Sequence, residues 1–398
     1  MQENTARAGR SRAIPFDTVK LDRLMEAAGL DVLVATSKHN VQYLLGAERA
    51  IFFDYMDAVG ISRYLPVLVY PKGAPEKAVY IGHRLETHQR AVAPPWVPQV
   101  RTESNGSVDA VTRAVGLIRD AGVPMKRVGV EMAFLPMDAG RALADALPGA
   151  ELKDALLVLE RLRAVKSADE LAKLKTASEL VIASMLEVIA GHGPGTTKQQ
   201  LSNALRIAEA NRGLTFEYCL LACGSSHNRA PSAQPWEQGE VLSLDSGGNY
   251  HGYIGDLARM AVLGDPDSEL KDCLAEIEAV QRAAFAAVRP GALGGDIYVA
   301  AERQLAQITQ RDCTDFLAHG MGLVSHEVPH LTATGPVPYD DTDARLPLEA
   351  GMVVSIETTM KHPRRGFIKL EDTVAVTAAG YEIFGEGGRG WNLGGGAF

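Results

Sequence analysis

Only four of the 398 residues are cysteine (Cys219, Cys223, Cys273, Cys313), too few to staple a chain of this size. The Cys219/Cys223 spacing has no matching second pair, so it carries no zinc signature. Reduced, buried thiols in a cytoplasmic protein are the expectation. No run reaches the ~18 uninterrupted apolar residues of a membrane span. No Lys/Arg-rich segment occurs and the formal net charge is −9, which leaves no electrostatic footprint for nucleic acid. The polar opening, Met1 to Arg12, lacks the apolar core of a signal peptide. What is there is ordinary for a soluble globular protein, with 46% hydrophobic and 22% charged residues. The length suits two domains, because single cores rarely grow past ~250–300 residues.

Val19, Leu21, Leu24, Met25 and Leu30 recur at roughly helical spacing, with Gly29 at a helix C′ position. Leu30 to Ala35 reads as a short buried strand, and Asn40 to Leu45 as a helix or turn closed by Gly46. Apolar runs at 65–70, 78–81 and 128–130 alternate with helical stretches near 108–121 and 137–147, an α/β pattern. This stretch holds no dense set of His, Cys or acids, so a scaffold or dimerisation role is expected of it. Ser167-Ala-Asp-Glu170 is a capping box opening a long helix, and the junction between domains 1–164 and 165–398 is placed there. The second domain echoes itself. Helix 171–190, a Pro194-Gly195 break and a helix capped by Thr197 and Gln200 return about 96 residues later as helix 274–288, Pro290-Gly291 and helix 297–308. Each pair leads to a strand ending in an acid, Asp245 or Glu357. Two such units predict one antiparallel sheet covered by four helices, with acids converging at its centre.

Three stretches could carry chemistry. The run Val241 to Arg259 ends one apolar segment in Asp245, reverses through glycines, and sets Asp256 in a second segment eleven residues on. With the reversal near Tyr250 and His251, the two acids face each other roughly 5 Å apart. Their repulsion, about 4 kcal/mol at an effective dielectric of 20, needs a shared proton, a cationic side chain or a metal to offset it. In the blander alternative Asp245 caps a turn and Asp256 pairs with Arg259. Next, His319, His326 and His330 fall within twelve residues, in a chain with only ten histidines. Gly320 and Gly322, flanking Met321, allow close backbone approach there, and imidazole suits first-row metals. Finally, Gly351 to Glu357 repeats the shape of Gly239 to Asp245, and Phe367 to Val376 embeds Glu371 and Asp372 in a strand. Acids in apolar strands are costly unless paired or coordinated. Only one of the adjacent pair can join a given site, and parity alone does not choose.

Together these residues resemble the pita-bread metallohydrolases, the group of prolidase, aminopeptidase P and methionine aminopeptidase, with the metal-free creatinases. The family pattern is Asp, ten residues, Asp; His-Gly-x-Gly-x-x-x-His-Glu; Ile-Glu; Glu-Asp-Thr-Val. It stands here as Asp245, Asp256, His319 to Glu327, Ile356-Glu357 and Glu371-Asp372-Thr373-Val374. Leu30-Asp-Val-Leu-Val and Asn40 to Gly46 resemble the creatinase/prolidase amino-terminal domain, and Arg163 to Leu171 its linker. The implied fold is α/β (α+β): a creatinase-like α/β domain, then a pseudo-twofold pita-bread domain with a curved antiparallel sheet under helices.

By the same resemblance Asp245, Asp256, His319, Glu357 and Glu371 would hold two divalent ions (Mn, Co, Fe or Zn). Four carboxylates would then balance the two ions' charge. His326 would steady a substrate carbonyl and the tetrahedral intermediate; His227, or Asn228 beside it, falls near another substrate-facing position. Asp315, Lys369 and His330 are candidate substrate contacts. Three residues depart from the pattern: Asp315 replaces a His, Lys369 an Arg with its bidentate fork, and Ala258 a Thr whose hydroxyl would orient a ligand. The implied function is a cytoplasmic, homodimeric dinuclear metallohydrolase cutting the C–N bond of a small peptide or amide, Xaa-Pro dipeptides first. Creatinase-like or lyase-type action on a small zwitterion is the alternative, and a non-catalytic binding module the third.

Overall fold

The computed structural model describes residues 13–46, 53, 63–334 and 339–395. The chain divides into two compact units, one ending at Leu162 and the other starting at Arg163.

In the first unit, β1 (Val32–Ala35), β2 (Val67–Pro71), β3 (Val79–His83), β4 (Gln99–Ser104), β5 (Arg127–Val130) and β6 (Glu151–Asp154) form one mixed sheet. Its order is β4-β3-β2-β1-β5-β6. Helices α1 (Thr18–Ala27), α2 (Lys38–Leu44), α3 (Thr87–Val92), α4 (Ser107–Asp120), α5 (Met137–Ala146) and α6 (Leu156–Arg163) complete it. The expected helix–strand alternation is present. Gly29 ends α1 at φ +66°, where a side chain would be strained. Val19, counted above on the apolar face of α1, is 78% exposed instead. Strands β4 and β6 carry no apolar alternation, since β6 (Glu-Leu-Lys-Asp) is an edge with exposed ends, so periodicity could not reveal them.

The second unit opens on α7 (Ala168–Gly191). Ser167 Oγ accepts from the Glu170 amide and the Glu170 carboxylate accepts from Ser167 N at 2.8 Å, so the capping box forms. After β7 (Thr196–Thr197), Thr197 and Gln200 cap α8 (Lys198–Asn211) in the same way. Then come β8 (Thr215–Cys223), β9 (Pro235–Trp236), β10 (Val241–Tyr250) and β11 (Tyr253–Val262). The echo follows: α9 (Ser268–Ala287), α10 (Asp296–Leu305), β12 (Thr314–Met321), β13 (Ser325–Glu327), β14 (Val353–His362) and β15 (Gly366–Val376), with β16 (Tyr381–Phe384) and β17 (Asn392–Leu393) at the end.

The main sheet runs β13-β12-β14-β15-β11-β10-β8, with β16 on β15 and β17 on β11. Its centre is therefore symmetric. The triplet β8-β10-β11 lies under α7, and the triplet β12-β14-β15 under α9. The halves meet where Ala258 of β11 pairs with Glu371 of β15. This is the curved, helix-covered antiparallel sheet of the pita-bread fold, and its seam carries the acids. All four cysteines are free; three are buried as expected, and Cys313 is half-buried.

Candidate metal and active site

The β10–β11 hairpin corrects one expected geometry. The turn is His251-Gly252, both at positive φ, and Gly247 and Gly248 lie inside β10 rather than in the reversal. Asp245 pairs across with Ala258 and Asp256 with Gly247, so the two acids are diagonal neighbours on one face, not direct partners. Glycine at 247 has a steric cause: a Cβ there would fall 2.4 Å from the Tyr218 ring. Nor does Asp256 pair with Arg259, whose guanidinium binds Asp372 Oδ1 at 2.7 Å.

That ion pair also settles the parity of β15. Asp372 points away, between Arg259 and Arg389. Glu371 faces the seam, with Lys369 on the same side. In register, Glu357 pairs with Glu371 and His319 with Ser355, so three strands deliver acid, acid and imidazole to one place. One ligand atom each from Asp256, His319 and Glu371 lies within 4.8 Å of the others. His319 Nε2 is 3.6 Å from Glu371 Oε1 and 4.0 Å from Glu357 Oε1. Its Nδ1 contacts the Gly320 carbonyl at 3.2 Å, an acceptor only, so in the neutral ring the proton sits there and Nε2 is left with its lone pair.

The electrostatics of the cluster are severe. Burial first, then the charges of Glu371 and Asp245, pushes the Asp256 carboxyl up to about 8. Burial raises Asp245 and Glu357 too, against the pull of Lys369. For Glu371 the opposing order wins: burial would raise it, but Lys369 and His319 hold it far below the usual carboxylate range. Burial disfavours the His319 cation, yet Glu371, Asp256 and Glu357 outweigh it and raise its pKa. The Lys369 ammonium touches Asp245 Oδ2 at 2.6 Å, Glu371 Oε2 at 2.7 Å and Glu357 Oε2. Arg229 also pairs with Asp245.

Hydroxyls orient the acids. Ser325 Oγ donates to Asp256 Oδ2 at 2.8 Å and Ser355 Oγ to Glu371 Oε1 at 2.7 Å. These two serines provide hydroxyl contacts of the kind that Ala258 cannot. Sequence reading passed over both, as it did Arg229 and Tyr339. Ser355 had a signal, a hydroxyl two positions from Glu357 on one strand face; Tyr339 had none, being local only in the fold.

His326 sits at φ +62° and stacks on His319, ring centroids 3.7 Å apart, while its Nδ1 meets the Tyr339 hydroxyl. Burial, then the His319 charge, pushes it down to about 3, so the ring is neutral. The glycines of the His319 motif let β13 fold back. A Cβ on Gly320 would meet the Glu327 carbonyl at 2.2 Å, and one on Gly322 the Glu327 carboxylate at 2.2 Å. Glu327 itself is buried against Arg163 at 2.8 Å and Lys166 at 2.9 Å.

A cavity of about 520 Å³ opens over the cluster. His326, His227, Asp315, Arg229 and Lys369 line it along with Tyr218 and Phe367. His227 contacts the His362 carbonyl at 3.2 Å through Nε2. Asp315 is 3.1 Å from Lys361. His330, in contrast, is not on the cavity wall; it stacks on Tyr339 with centroids 5.0 Å apart.

A protein built this way carries a buried carboxylate–imidazole cluster, of a kind that could hold a metal ion, on the seam of a pita-bread sheet. The chain belongs to metallopeptidase family M24, whose profile matches residues 172–378, while the creatinase/prolidase N-terminal domain matches residues 19–165. It is 28% identical over 371 residues to the probable dipeptidase PepE of Mycobacterium tuberculosis, covering 89% of each chain. It superposes on the crystal structure of dipeptidase PepE from Mycobacterium ulcerans with TM-score 0.75 and 26% identity, covering 94% of this chain and 96% of that one. The fold also matches the Xaa-Pro dipeptidase from Bacillus anthracis, TM-score 0.77 at 21% identity, over 95% and 100% of the two chains.

The residues fit a divalent metal on their own chemistry. Among the described residues Asp256 Oδ1 and His319 Nε2 are buried with no hydrogen-bond partner, which is costly unless a cation takes them. Oxygen donors with one imidazole suit Mn, Co, Fe or Zn.

Proposed function

We propose that this chain is a divalent-metal-dependent hydrolase that cuts the C–N bond of a small peptide or amide, with Xaa-Pro dipeptides as the first substrate class. Asp245, Asp256, His319, Glu357 and Glu371 would hold up to two ions. The observation that carries the reading is the buried convergence of Asp256, His319 and Glu371 within 4.8 Å, where Asp256 Oδ1 and His319 Nε2 find no hydrogen-bond partner among the described residues. Bound divalent ions supply Lewis acidity to a scissile carbonyl and acidify water.

The protein's own residues do the rest. With the Tyr339 hydroxyl donating to Nδ1, neutral His326 carries its proton on Nε2, a donor for the oxyanion that forms at the carbonyl. Ser325 and Ser355 fix the orientation of Asp256 and Glu371. The cavity volume suits a dipeptide. Asp315 and Lys361 put both signs of charge on its wall, a match for the amino and carboxyl ends of such a substrate. The dipeptidase names of the relatives agree with this reading. The homodimer and cytoplasmic location implied by the sequence resemblance belong to it as well, and sedimentation analysis tests the dimer.

A second reading, creatinase-like or lyase-type action on a small zwitterion, draws on Lys369 and Arg229, two fixed cations among the acids. One experiment separates the two. Protein stripped by a chelator and reloaded with Mn or Co is offered Gly-Pro, Ala-Pro, creatine-type, cyclic-amide and sulfonium compounds. Loss and recovery of Gly-Pro or Ala-Pro cleavage is the expected result. Full turnover by the stripped protein, or turnover of the non-peptide compounds alone, would overturn it.

A further inference from the structure

The acid cluster has two unlike halves. On one side Asp256 Oδ1 and His319 Nε2, buried and without a hydrogen-bond partner among the described residues, face Glu371. On the other, Asp245, Glu357 and Glu371 already share a cation, the Lys369 ammonium, whose side chain is only 5% exposed. This position is fixed by strand register. Lys369 lies two residues before Glu371 on β15, hence on the same face, and pairs across with Thr359 two residues after Glu357. No rotation of the strand removes it without also removing Glu371.

Charge counts in the same direction. With all four acids ionised, as metal ligation requires, they carry −4, and Lys369 with Arg229 return two of those charges. One divalent ion neutralises the remainder. A second ion added with the ammonium in place would leave the buried cluster net positive, with like charges in contact.

We propose that Lys369 stands in for one of two ions, so that its ammonium sets how much more weakly the second divalent ion binds than the first. The first ion enters at Asp256, His319 and Glu371 with the ammonium seated. The second enters only when Lys369 withdraws from Asp245, Glu357 and Glu371 into the cavity it lines. This rests on the metal-centre reading above and adds to it the residue that sets the affinity of the second ion.

The test is binding, not turnover. Stripped full-length protein is titrated with Mn²⁺ by calorimetry, and its paramagnetic resonance is followed at one and two equivalents. Wild type is expected to bind one ion with an isolated six-line spectrum, and the second at least about 100-fold more weakly, the scale of a buried charge conflict. Lys369→Met is expected to narrow that gap by about tenfold or more and to give a spin-coupled spectrum at two equivalents. Asp245→Asn, which does not touch the first position, should keep the first ion and lose the second; it serves if Lys369→Met does not fold. Two ions of equal affinity in wild type, or an unchanged gap in Lys369→Met, overturns the proposal while leaving the metallohydrolase reading intact. No Mn²⁺ bound by wild type at all overturns both.

Discussion

Tyr339 shows how far a single side chain can matter when it touches a histidine rather than the substrate. Its hydroxyl meets Nδ1 of His326, and with the hydroxyl as donor the ring's second nitrogen must hold the proton. Removing the hydroxyl frees the ring to take either tautomer and to rotate about its stacking contact with His319. Tyr339→Phe is therefore expected to lower kcat about tenfold on Ala-Pro, the value of one oriented hydrogen bond, with KM little changed. Steady-state kinetics on metal-loaded protein decides it; a raised KM at constant kcat would place Tyr339 in substrate binding instead. The same local logic explains why Arg229 escaped sequence reading. An arginine beside Asn228 in a loop carries no periodic signal, and its partner Asp245 is sixteen residues away.

Among the elements, the β10–β11 hairpin is the one whose sequence misled. Gly247 and Gly248 look like a turn, because glycine most often marks one. They are in mid-strand because two side chains need the space: the Tyr218 ring over Gly247 and Val181 of α7 over Gly248. Two-residue turns accept His-Gly at positive φ, so the reversal moved to 251–252 and the acids became diagonal neighbours. Gly247→Ala should thus displace Tyr218 across the face that carries Asp256. We expect a loss of about 1–3 kcal/mol in stability, as for other overpacked sites, and a fall in kcat/KM larger than that of Gly239→Ala taken as a positive-φ control. Thermal melts and kinetics of the pair check this; equal effects would deny Gly247 its packing role.

At the scale of the second unit, the carboxylate of Glu327 ties the β13 end of the sheet to Arg163 and Lys166. All three are buried. Burial would raise the Glu327 pKa, but Lys166 and Arg163 together lower it below the ordinary value. An acid lowered on folding contributes stability that is fully present above its unfolded pKa and is lost as pH falls through its folded one. Glu327→Gln removes the carboxylate charge that two buried cations share and should cost about 3–5 kcal/mol near neutral pH, with the gap to wild type closing as pH drops below about 4.5. Denaturant titrations at pH 7 and pH 4 measure it. A gap that widened in acid would mean the pair contributes nothing.

Sequence alone determined the kinds of groups and the order in which they come. The Asp245/Asp256 pair, the His319 motif, Glu357 and Glu371, the capping boxes at Ser167 and Thr197, and the repeated helix-pair design are all local patterns, legible because spacing along a chain is set by covalent geometry. Tertiary structure decided what faces what. The choice of Glu371 over Asp372 depended on Arg259, 113 residues from Asp372. The seat of Lys369 among acids depended on the β14–β15 register and on β10, 124 residues away. Register between strands is a property of packing across the whole sheet, and a one-residue slip would turn every one of these side chains to the other face.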